Sequence, residues 1–206
     1  MASPGTAPGF CPRDTKTDAK QTLAEINRLL KSGDSIPAGR LAEWLASDDL
    51  EVLGACHEVL TERFDRLDAK AKTRFDVPSE HVCSQMLYFF RRCLVENRPG
   101  EYALNRHQAA RGVYRWFLAL SANDAVPREA LDAIKKMLAE VYTSGDTEVR
   151  NSILTSCLEH LFVSQRIAEY FADWQDDPAM GVAFAAALEW GRNFWPGRPR
   201  HQRGQP

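Results

Sequence analysis

The stretch Asn151-Ser152-Ile153-Leu154-Thr155-Ser156-Cys157-Leu158-Glu159-His160-Leu161-Phe162 decides the fold class. Its apolar residues come as three pairs, Ile153/Leu154, Cys157/Leu158 and Leu161/Phe162, each four residues after the last. Side chains four apart share one face of a helix, whereas a strand would need alternation. Upstream, Leu131, Ile134, Met137, Leu138 and Val141 repeat the helical period and stop at Ser144-Gly145. Downstream, helices are predicted around Ile167 to Trp174 and from Pro178 through Val182, Phe184 and Leu188 to Trp190.

The same period runs back to the start of the chain. Leu23, Ile26 and Leu30 mark a first helix ending near Lys31, and Leu41, Trp44 and Leu45 a short second one. A long third helix carries Leu50 to Leu67, capped by Ser47 or Asp48. Val82 to Leu94 form a fourth, stopped by Asn97-Arg98-Pro99-Gly100, and Tyr102 to Leu120 a fifth. The expectation is an all-α domain of eight or nine antiparallel helices over residues 15–194. Pro- and Gly-rich arms, 1–14 and 195–206, flank it and have too little apolar surface to repay the entropy of ordering.

A weak repeat underlies this order: Ile36-Pro37 with Leu41, Val77-Pro78 with Val82, and Val126-Pro127 with Leu131. Proline fits a helix start, and the residue before it is pushed out of helical conformation. Glu80 and Glu129 then meet the positive end of a helix dipole. The prolines lie 41 and 49 residues apart, a spacing that resembles HEAT- or armadillo-type helical arrays over 36–190. That resemblance implies an irregular HEAT-like stack of helical hairpins; the alternative is a compact helical bundle.

The 206 residues are 44% hydrophobic and 26% charged, enough for a real core. Lys and Arg number 26 against 28 Asp and Glu, so the net charge of −2 offers no global grip on nucleic acid. Four arginines and no acid fall in 192–206, which leaves a body charge of −6. Five widely spaced cysteines, 11, 56, 83, 93 and 157, with no C-x-x-C pair, read as free thiols of a reducing compartment. No apolar run approaches a membrane span and no secretory signal opens the chain, so the expected address is the cytoplasm, without membrane contact.

Chemistry-bearing motifs are sparse. Cys157-x-x-His160 puts two zinc-type ligands on one face, yet Cys157 belongs to an apolar stripe; Cys56-His57 and His81-Val82-Cys83 diverge. No metal site and no cofactor are expected. Cys93 follows Arg91-Arg92 but lies between Phe90 and Leu94, a packing position. G-x-S-x-G, Walker and G-x-G-x-x-G patterns are absent, so catalysis is not expected. Arg198, Arg200 and Arg203 supply too little charge for nucleic-acid binding.

Recognition of a protein remains. Between Ser144 and Asp177 seven acids face two arginines, a segment charge of −5, with Tyr170, Phe171 and Trp174 embedded. Glu169, Tyr170, Asp173, Trp174, Asp176 and Asp177 are the candidate partner-binding residues: charge steers a basic protein and a ring anchors it. Tyr88-Phe89-Phe90-Arg91-Arg92 and Tyr114-Arg115-Trp116-Phe117 cover a whole helical circumference, so some of each run faces outward. The stretch Asp146 to Leu161 resembles the penultimate helices of small all-α bacterial immunity proteins. What that resemblance implies is a cytosolic inhibitor that plugs a partner toxin. The alternatives are a scaffold or adaptor protein and, third, an enzyme with a helical-cleft site.

Overall fold

Polar caps and prolines start the helices close to where the sequence places them. In the computed structural model, which describes residues 15–75 and 78–195, α1 spans Thr15–Ser32, α2 Ala38–Leu45, α3 Leu50–Thr61 and α4 Ala69–Phe75. Then come α5 Glu80–Glu96, α6 Arg106–Ser121 and α7 Arg128–Ser144. Next, α8 Thr147–Ile153 runs through a π turn, Leu154–Leu158, into α9 Glu159–Leu161; α10 is Gln165–Tyr170 and α11 Gly181–Gly191. The expected arm 1–14, Cys11, Val77 and the tail beyond Trp195 lie outside the described residues.

Pro37 and Pro127 sit at the N-caps of α2 and α7, and Pro78 precedes the Ser79 cap of α5. Asp49, rather than Ser47 or Asp48, caps α3, its carboxylate accepting from the Glu51 and Val52 amides at 2.9 and 3.1 Å. The third helix is shorter than the sequence suggests. It ends at Thr61, and Leu67 instead forms an isolated parallel bridge with Ile36, both fully enclosed or nearly so. Burying two β-bridging residues there outweighs continuing a helix through Asp65 and Asp68. Trp195, assigned by composition to the tail, is docked: its indole N–H donates to the Phe162 carbonyl at 2.9 Å.

Alternate helices pack side by side. One layer is α1, α3, α5 and α7, each against the next; in the other, α2 packs on α4, α6 on α8, and α9 on α11. Consecutive helices α2/α3, α5/α6 and α7/α8 tie the layers together. A single apolar core runs between the layers from Ile26 to Ala187, with Phe89, Phe90, Phe117, Phe162 and Phe171 fully enclosed. The architecture is all-α, and no strand is present among the described residues. The second layer is open between α4 and α6, and a cleft of about 680 Å³ occupies that gap.

Candidate functional site

The acidic residues singled out from the sequence do converge, on α10 and the 3-10 turn Ala172–Asp176, but much of their charge is already used. The Lys135 ammonium of α7 donates to the Tyr170 carbonyl at 3.2 Å and pairs with the Asp173 carboxylate. The same ammonium lies 5.2, 5.3 and 5.9 Å from the ring centres of Tyr170, Phe171 and Trp174. The Arg128 guanidinium also lies over the Tyr170 ring, 5.3 Å from its centre. Neither cation belongs to the segment whose charge of −5 was counted, so the folded edge is less acidic than its sequence.

Trp174 is not free to anchor a partner. It is 5% exposed and sits edge-on to Phe171 at 4.7 Å, because the turn after α10 points it into the core. Tyr170 is half-buried and its hydroxyl donates to Asp132; burial first, then that bond, pushes its phenol well above the usual range. Asp177 accepts from the Ala179 and Met180 amides at 2.8 and 2.9 Å, and Glu169 accepts from Gln165 at 2.9 Å. Asp173, Asp176, Asp177 and Glu169 remain exposed. The exposed apolar group next to them is Val182 on α11, 77% accessible, followed on the same face by Ala185, Ala186 and Glu189.

The cleft between α4 and α6 drew no attention in the sequence. Its walls are Leu60, Val82, Met86, Leu104, Trp116 and Leu120, and its polar rim includes Thr61, Glu62, Gln108, Arg111 and Arg115. The four α6 positions 108, 111, 115 and 119 are spaced by three and four, so they form one stripe, and all are exposed. That basic stripe opposite apolar residues of three other helices was the available signal. His57 closes the floor, stacked on Phe89 at 5.7 Å and edge-on to Phe90 at 5.2 Å. Burial, reinforced by the nearby Arg115 charge, lowers its pKa to about 4, so the ring is neutral at physiological pH.

Elsewhere, His107 Nδ1 lies 2.9 Å from the Ser156 hydroxyl, joining α6 to the π turn. Ser156 is buried, and among the described residues no carboxylate bonds His107, so the pair lacks the base-orienting third group of a nucleophilic triad. His160 is packed between Tyr114 and Trp190 at 5.4 and 5.5 Å, and Cys157 beside it is fully buried, its thiol pushed up by burial. Cys93 is buried too, its pKa raised to about 11 chiefly by burial. Among the described residues no group of three or more His, Cys, Asp or Glu is arranged to hold a metal. No helix among them is long and apolar enough to cross a membrane. In the runs that cover whole circumferences, Tyr88, Arg91 and Arg115 face outward while Phe89, Phe90 and Phe117 are core. No family model, curated protein or solved structure matches the chain.

Proposed function

We propose that the chain is a non-catalytic protein-binding module of the cytoplasm, a stoichiometric inhibitor of the immunity or antitoxin type whose partner presents a basic surface. The observation that carries this reading is the exposed apolar stripe of α11, Val182 with Ala185 and Ala186, bordered by Asp176, Asp177 and Glu189. The last helix of a stack normally turns a polar face to solvent. An apolar centre with a charged border is the composition of a recognition patch, in which burial supplies affinity and charge supplies steering. Val182 takes the place of Trp174 as the apolar contact.

The test is affinity capture with the intact chain, followed by titration calorimetry against the purified partner at low and high salt. A one-to-one complex that weakens with salt is expected. Val182→Lys and the triple change of Asp173, Asp176 and Asp177 to Asn are each expected to weaken it at least tenfold, and retained affinity in both variants would sink the reading.

A further inference from the structure

We propose that the cleft between α4 and α6 binds a small amphipathic carboxylate, its apolar body against Leu60, Met86 and Leu120 and its anionic head between Arg111 and Arg115. Size is the first argument. A cleft of about 680 Å³ with predominantly apolar walls and a few convergent polar groups is within the roughly 300–1,000 Å³ range of small-ligand sites. It is also larger than a packing defect, since native interiors hold few voids bigger than a water molecule.

Charge is the second. Arg111 and Arg115 are one turn apart on the same face of α6, both exposed, and neither has an acidic partner within 4.0 Å among the described residues. This is unlike Arg40, Arg91, Arg92 and Arg106, each of which is paired with a carboxylate. Glu62 on the opposite rim makes no ion pair with either arginine. His57 on the floor is neutral and adds no charge. Among the described residues the rim therefore carries two guanidiniums against one carboxylate, beside apolar walls. Guanidiniums suit a planar carboxylate because their N–H groups form a fork that matches its two oxygens.

The third is enclosure. Gly112, between the two arginines, lies against the buried Phe90 ring, so α6 packs closely on α5 and the cleft has a firm wall at this point. The occupant inferred is a single medium-chain molecule rather than a chain segment, since apolar walls on α3, α5 and α6 enclose it on several sides. The site lies on other elements than the α10 and α11 edge, so it stands or falls independently of the protein-binding reading.

The experiment is calorimetric titration of the intact chain with dodecanoate, dodecanol and dodecyltrimethylammonium, each below its critical micelle concentration. Dodecanoate is expected to bind at one site, at least tenfold more tightly than the alcohol and the cation. The Arg111→Gln/Arg115→Gln double variant, with unchanged circular dichroism, is expected to lose that preference, and Ala119→Trp at the rim to reduce binding of dodecanoate. Equal binding of the three amphiphiles, undiminished dodecanoate binding by the double variant, or no binding at all would overturn the proposal. So would displacement in favour of a short acidic aromatic peptide that binds the cleft when dodecanoate does not.

Discussion

Gly112 of α6 lies directly against the ring of Phe90 in α5: a Cβ at position 112 would stand 2.6 Å from Phe90 Cε1. The ring cannot retreat, because it is fully buried, met edge-on by His57 at 5.2 Å and by the tilted Trp116 ring at 5.8 Å. In an open helix Gly→Ala gains about 0.5–1 kcal/mol. Here overpacking dominates, and Gly112→Ala is expected to destabilise by about 1–3 kcal/mol. Urea denaturation followed by circular dichroism checks this. A more stable variant would mean that α5 and α6 approach less closely than described.

His57 couples the cleft floor to pH. Its folded pKa of about 4 lies below the unfolded value of 6.5, so the unfolded chain takes up the proton first. Stability is therefore fully present above pH 6.5 and is lost as pH falls toward 4, by up to about 3 kcal/mol once both states are protonated. Denaturant midpoints measured between pH 7 and 4 are expected to fall more steeply for the native chain than for His57→Gln. The difference between the two curves isolates this residue from the carboxylates, which titrate in both. Parallel curves would show that the ring is solvated rather than buried.

The π turn at Leu154–Leu158 was written in the opening stretch, though not read from it. Apolar pairs spaced by four drift about 40° per repeat around a helix of 3.6 residues per turn, enough over two repeats to rotate Leu161 and Phe162 off the core. The structure nonetheless buries Ile153, Cys157, Leu158, Leu161 and Phe162 completely, because the π turn absorbs one extra residue. Removing that residue should leave a regular helix with the same buried face. Deleting Thr155 is thus expected to cost about 2 kcal/mol or less, whereas deleting Ala133 from α7 rotates Ile134, Met137 and Leu138 out of the core and should unfold the chain. Thermal melts of the two deletions separate these outcomes.

The helices themselves were legible because apolar period, caps and prolines agree: Pro37, Ser79 and Pro127 each start a helix within a residue of the expected place, whereas α6 begins after its Asn105 cap and not at Tyr102. What the period could not show is which charges meet across layers. Lys135 is silent in the count over residues 144–177, yet it reaches Asp173 across 38 positions. Trp174 reads as a surface anchor because it stands among acids, but the tight turn Ala172–Asp176 breaks the helical register and aims it inward. The cleft was hidden for the same reason, since His57, Met86 and Arg115 become neighbours only when the second layer opens between α4 and α6.

Lys135 offers the sharpest separation of stability from recognition. It is only 14% exposed, while its partner Asp173 is 68% exposed, so the ion pair itself is screened by solvent and contributes about 1 kcal/mol at most. The ammonium also satisfies the Tyr170 carbonyl and faces three aromatic rings, contacts that Asp173 does not share. Lys135→Met is therefore expected to destabilise by about 1–3 kcal/mol, and clearly more than Asp173→Asn. For a basic partner the order reverses: Lys135→Met frees Asp173 and makes the edge one charge more acidic, so binding should tighten, while Asp173→Asn should weaken it. Denaturation and calorimetry on the same two variants read both effects. If Lys135→Met weakened binding as well as stability, the edge would be a structural ion-pair cluster and not a docking surface.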